Sequence, residues 1–163
     1  MKGRISILCL AIAVFLGSAG VAWSADFQTG QTAYERRNYA TALQEWTPLA
    51  EQGNADAQRS LGEMYRQGNG VRQNYKTAAW WFRLAAEQGD APAQVKLGEA
   101  YSSGNGVPLD NMYAYMWWNI AASSWDRDAI RLRDRVAGKL SKVQLEQAQD
   151  LARECARKSY KGC

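Results

Sequence analysis

The chain of 163 residues has no histidine and only three cysteines, Cys9, Cys155 and Cys163. Without imidazole there can be no Ser-His-Asp or Cys-His nucleophilic site and no histidine-based zinc centre. The one side chain whose ordinary pKa lies near neutrality is also missing. No Gly-x-Ser-x-Gly elbow, Walker loop or Ser-x-x-Lys motif occurs. Gly68-x-Gly70 lacks the later glycine and the preceding strand that a phosphate-binding loop requires. Most common enzyme chemistries are therefore disfavoured, and no cofactor or metal is implied.

A large charge excess of one sign is also missing. The formal net charge is +4, and two of the positive charges, Lys2 and Arg4, precede an apolar run from Ile5 to Leu16 and the small residues Gly17, Ser18, Ala19 and Gly20. That order reads as a secretory signal peptide. Ala22 and Ser24 supply small residues at −3 and −1, whereas a cut after Ala25 would place Trp23 at −3, so cleavage is expected after Ser24. The rival is an uncleaved anchor, but the apolar core is short and no stop-transfer charges follow it. Leu8 before Cys9 is too large for a lipoprotein cleavage site. The expected localisation is periplasmic or secreted.

Residues 25–125 then hold 8 basic and 10 acidic side chains, and residues 126–163 hold 10 and 6. A basic end of that kind can touch nucleic acid or anionic lipid. Export argues against nucleic acid, and the interspersed Asp126, Asp128, Asp134, Glu146, Asp150 and Glu154 read as an ordinary solvated helix surface.

What is present in abundance is self-similarity. At an offset of 36 residues, Asn54 to Gly89 aligns without a gap on Asp90 to Trp125, with 15 identities. Both copies contain A-x-A-Q-x-x-L-G-E-x-Y-x-x-G-N-G-V. Upstream, Asn38-Tyr39, Thr41-Ala42, Trp46 and Ala50-Glu51-Gln52-Gly53 form a half-copy whose partner helix lies near Phe27 to Arg37.

Each unit reads as a helix hairpin. Ala57, Leu61 and Tyr65 recur at i, i+4 and i+8, giving one apolar stripe. Gly68-Asn69-Gly70 and Gly104-Asn105-Gly106 break the first helices, and Gly53 and Gly89 fit the position just past a helix end. Asn54 and Asp90 can cap the helices that follow. Gly62 and Gly98 suggest that a neighbouring helix crosses too closely for a Cβ. The second helices should bury Ala78, Trp81, Phe82 and Ala85, and Ala114, Trp117, Trp118 and Ala121.

These residues resemble the Sel-one-like repeat family, an α/α solenoid class related to the tetratricopeptide repeat. The resemblance implies an all-α fold: a right-handed α/α superhelical solenoid of about two and a half repeats with a C-terminal helical hairpin cap. The organisation expected is a leader at 1–24, a half repeat at 25–53, repeats at 54–89 and 90–125, and a cap at 126–163. In the cap, Ile130, Leu132, Val136 and Leu140 give one apolar face and Leu145, Ala148, Leu151 and Ala152 another, with Ser141 as N-cap. Solenoids need such ends, because a terminal repeat otherwise exposes its stacking face.

Once the leader is removed, Cys155 and Cys163 remain in an oxidising compartment. They read as one intramolecular disulfide closing a short loop. A redox-active pair, disfavoured by the lack of C-x-x-C, and intermolecular bonds through the terminus are the alternatives.

Solenoids bind through extended concave surfaces, so function should lie in the variable positions of the inner helices. Opposite the Ala57/Leu61/Tyr65 stripe lie Arg59, Glu63, Arg66 and Gln67, and in the next copy Val95, Glu99, Ser102 and Ser103. As a set they are the groove candidates, against the plainer reading that each is simply solvated. Trp80, Leu84, Met116 and Ile120 stand where the family pattern usually carries charge. They are either buried by neighbouring layers or form an apolar partner patch.

The function expected from all of this is an exported, non-enzymatic scaffold or adaptor that binds a peptide or protein of the cell envelope, without nucleic acid and without a membrane-spanning segment in the mature chain. Two other classes compete with it. One is a hydrolase acting on cell-wall or β-lactam substrates, because family members with disulfide-rich repeats have been linked with β-lactams; this chain lacks their repeat-by-repeat cysteine pairs. The other is a self-associating structural component of the envelope.

Overall fold

A computed structural model describes residues 25–124 and 126–163, so the leader and its cleavage site lie outside the described residues. Among the described residues there are eight helices and no strand: α1 (Phe27–Glu35), α2 (Tyr39–Glu51), α3 (Ala55–Gln67), α4 (Tyr75–Ala86), α5 (Ala91–Ser103), α6 (Asn111–Ala122), α7 (Arg127–Ala137) and α8 (Lys142–Arg157). None of them is long and apolar enough to cross a membrane.

Each helix begins where a short polar side chain supplies the acceptor that its first amides lack. Asp26, Asn38, Asn54, Asn74, Asp90, Asp110, Asp126 and Ser141 all accept from amides of the first turn. Such a cap stabilises by about 1 kcal/mol. Ser141 and Gln144 form a reciprocal capping box. At the other end of α2, the Gly53 amide donates to the Ala50 carbonyl and the Asn54 amide to the Leu49 carbonyl. That Schellman arrangement places the next cap residue directly after the turn.

Helices pack in sequence, α1 on α2, α2 on α3 and onward, which is the contact pattern of a solenoid. The core has two parts. One surrounds Trp46, Leu61 and Met64; the other surrounds Phe82, Leu97, Trp117 and Trp118, and Tyr65 touches both.

One packing device recurs in all three pairs. A Cβ added at Gly30 would lie 2.4 Å from the Trp46 ring, one at Gly62 2.6 Å from Phe82, and one at Gly98 2.6 Å from Trp118. The close approach inferred at Gly62 and Gly98 is thus made by the aromatic ring of the partner helix, which rests directly against the glycine. In the outer two pairs the indole N–H also donates, from Trp46 to the Phe27 carbonyl and from Trp118 to the Val95 carbonyl, each at 3.1 Å.

Successive pairs are joined by buried glutamines. Gln58 donates to the Ala50 carbonyl and Gln94, 36 residues later, to the Ala86 carbonyl, so each binds the last turn of the helix before it. At the C-terminal end, α7 and α8 both pack on α6. Cys155 and Cys163 form a disulfide, and the returning tail places the Tyr160 ring beside Gly89, in the turn between α4 and α5.

Candidate functional site

The variable positions of α3 and α5 do not form a single solvated row. Arg59 is turned into structural pairing: its Nε is 3.2 Å from an Asp90 oxygen and its Nη2 2.6 Å from Asp56. Burial opposes the guanidinium charge, but the two carboxylates outweigh it and hold the Arg59 pKa above its ordinary value. Asp90 also caps α5, so this pair ties α3 to the start of the next repeat.

Val95, the counterpart of Arg59, is a correction to the sequence reading. It is only 8% exposed and sits in the core, with its carbonyl engaged by Trp118. An aliphatic side chain at that position finds no carboxylate partner and instead fills the layer beneath α6.

The next turn carries a short chain of charges. Arg66 Nε lies 2.7 Å from Glu63, Lys96 Nζ lies 3.9 Å from Glu63, and Lys96 Nζ lies 3.0 Å from Glu99. Gln67 donates to Glu63 and accepts from the Tyr34 hydroxyl and the Asn69 amide, linking α3 back to α1. Ser102 and Ser103 both donate to the Glu99 carbonyl.

Two clefts open along this side of the array. The first, about 140 Å³, lies between α3 and α5; Ala78, Ala79 and Phe82 floor it, and Arg66, Lys96, Glu99 and Ser103 line its rim. The second, about 170 Å³, lies between α5 and α7; Trp118, Leu132 and Val136 floor it, with Glu99, Ser102, Arg135 and Lys139 around them. Arg66, Glu99, Ser102 and Ser103 are therefore brought together on the cleft rims, and Glu99 stands on the ridge between the two.

The apolar set on the second helices divides. Trp80 is 52% exposed and Leu84 half-buried, whereas Met116 and Ile120 are buried at 1% and 5%. Of the two alternatives left open for this set, Met116 and Ile120 take burial, because α7 and α8 cover that side of α6, and they drop out as a partner patch.

Sequence reasoning missed Lys96, Trp118, Arg135 and Lys139 as cleft residues. For the last two the signal was available. The 36-residue offset runs one step beyond the second repeat: Asn54, Asp90 and Asp126 all cap helices, and Ala57, Ala93 and Ala129 are all fully buried. In that register α7 is the next inner helix, and Glu63, Glu99 and Arg135 occupy one position while Gln67, Ser103 and Lys139 occupy another.

Stacked antiparallel helix pairs, a 36-residue period and clefts between successive first helices define an α/α repeat solenoid. Residues 55–90 and 91–124 match the Sel1 repeat family, so the chain carries two tandem Sel1 repeats. No curated protein sequence matches the chain. Among solved structures, the chain is similar to c5321, a protective antigen present in uropathogenic Escherichia coli strains and displaying an SLR fold: TM-score 0.77 and 32% identity over 80% of this chain and 30% of that one. It is also similar to a Sel1 repeat protein from Oxalobacter formigenes, with TM-score 0.66 and 32% identity over 79% of this chain and 55% of that one. The chain thus spans under a third of the first relative and little more than half of the second.

Proposed function

We propose that this solenoid is a non-catalytic adaptor of the cell envelope that holds a peptide segment of another protein across its α3–α5–α7 side. Proteins of this repeat class act generally through protein–protein contact. The observation that carries the reading is the placement of two clefts in series, sharing Glu99, each with an apolar floor and a charged rim. That spacing suits an extended chain, which presents side chains to successive pockets while its backbone crosses the ridge.

Arg66, Lys96, Glu99, Ser102, Ser103 and Arg135 are carried by helices and Lys139 by the turn just after α7, so the groove is formed before a partner arrives and little ordering entropy is lost on binding. Export rests on the leader expected from the sequence and is supported by the disulfide, which persists in an oxidising compartment. The partner is therefore an envelope protein. The test is photo-crosslinking in cells from Arg66 and Ser103, with Arg153 on the far side of α8 as control. One and the same product is expected from both cleft positions and none from the control. Absence of a discrete product from either cleft position would sink the adaptor reading.

A further inference from the structure

The two clefts differ in charge. In the first, Arg66 and Lys96 are neutralised by Glu63 and Glu99, so the rim offers no free charge of either sign. In the second, Glu99 is already engaged by Lys96, while Arg135 and Lys139 form no ion pair among the described residues. Two of the other three cations of α7 do find partners, Arg131 with Asp128 and Arg133 with Asp134, while Arg127, outside the cleft, forms no ion pair among the described residues. Arg135, in the last turn of α7, and Lys139, in the turn just after it, are both exposed and line the same cleft. Beneath them Trp118 and Val136 are buried and Leu132 is partly buried.

The repeat register sharpens the contrast. The position that is Glu in α3 and α5 becomes Arg in α7, and the one that is Gln and Ser becomes Lys. The rim therefore changes sign at the cap end.

We propose that the α5–α7 cleft is the anchoring subsite of the groove and takes an acidic partner segment with one large apolar side chain. The apolar side chain rests on Trp118, Leu132 and Val136, and the flanking carboxylates meet Arg135 and Lys139. This rests on the adaptor reading above and specifies its partner. Charge complementarity selects the occupant. A basic segment would face two uncompensated cations, and a purely apolar one would leave them desolvated without a partner.

The test is fluorescence anisotropy with a fluorescein-labelled Glu-Asp-Leu-Phe-Asp-Glu peptide and the exported chain. Its comparators are Lys-Lys-Leu-Phe-Lys-Lys and Glu-Asp-Ser-Ser-Asp-Glu. Saturable binding of the first peptide alone is expected. Losing two charge-assisted contacts in Arg135→Glu/Lys139→Glu should weaken it by about tenfold or more. Arg153→Glu/Arg157→Glu, with the same net charge change in the C-terminal half of α8 and outside the cleft lining, should stay within about twofold, since those charges act only through screened long-range attraction. If the reversed pair fails to fold, as judged by circular dichroism, Arg135→Gln/Lys139→Gln carries the same comparison.

No saturable binding of the acidic peptide overturns the proposal. So does equal binding of the basic one, or equal loss in the α8 control. A partner crosslinked from Arg66 and Ser103 that is still captured after Arg135→Gln/Lys139→Gln leaves the adaptor reading standing and removes this subsite. Peptide binding without any crosslinked partner does the reverse.

Discussion

Replacing Gly98 by alanine separates two opposing effects whose sizes are known. In a helix interior the change should stabilise by roughly 0.5–1 kcal/mol, because alanine loses less backbone freedom on folding. Here the added Cβ would sit 2.6 Å from Trp118 Nε1, 2.8 Å from Cδ1 and 2.9 Å from Cε2, all parts of a rigid ring that is 4% exposed. The ring cannot bend away and must move bodily. Overpacking of this kind costs about 1–3 kcal/mol. The movement also stretches the Trp118 bond to the Val95 carbonyl, another ~1 kcal/mol. The net expectation is a loss of about 1–3 kcal/mol, read as a lower midpoint in urea unfolding followed by far-UV circular dichroism. In a Trp118→Leu background the clash is gone, so the same glycine change should be neutral or stabilising. At Gly62 the neighbour is Phe82, which has no N–H to lose, so Gly62→Ala should cost less than Gly98→Ala by about that hydrogen bond. A Gly98→Ala protein as stable as the parent, or the same penalty with and without the Trp118 ring, would refute the reasoning.

Other consequences are as direct. Asp90→Ala removes both the α5 cap and the Arg59 partner and should cost about 1–2 kcal/mol, while Asp90→Asn keeps the cap and recovers most of it, as denaturant midpoints will show. Gln58→Leu should destabilise more than Gln94→Leu, each by about 1 kcal/mol or more, because Gln58 also accepts from Gln88. Trp80→Lys, at an exposed position, should stay within about 0.5 kcal/mol of the parent, whereas Met116→Lys should unfold the cap end; thermal melts of the two decide this. The Thr29 hydroxyl and the amides of Gln28 and Thr29 hold the Asp26 carboxyl below its ordinary pKa of 3.8. Its contribution is therefore complete above about pH 4 and is lost as the pH falls through the lowered value, so the stability gap to Asp26→Ala should close only in that acid range.

The architecture was legible because its signals are periodic and local. Glycine after the second helix, Asn or Asp as cap, and Ala-Leu-Tyr stripes each act within a turn or two of where they stand, and the 36-residue offset repeats them. The groove was legible only in part. Arg59 and Val95 occupy one repeat position, yet the first pairs with Asp90 and the second fills the core, a divergence set by what lies across the interface. For Trp80, Leu84, Met116 and Ile120 the sequence left burial and an exposed patch open, and only the seating of α7 and α8 on α6 separates the buried Met116 and Ile120 from the exposed Trp80. Arg135 and Lys139 escaped notice because few other identities carry the repeat into α7. The buried Ala129 and the cap Asp126 were the thread to follow.

The Gly-Asn-Gly loops set a limit on how this molecule can vary. A Cβ at Gly106 would run into the Tyr75 carbonyl and the Lys76 amide, and one at Gly70 would lie 2.5 Å from the Tyr39 Cβ, so each loop abuts the opening residue of the preceding second helix, on its main chain at Gly106 and on its Cβ at Gly70. Spacing between units is thus set where a bare glycine meets the start of a neighbouring helix, like blocks seated on a common stop. Rim residues lie apart from these seats, so a change of specificity there can leave the ruler against which a partner is measured at the same gauge.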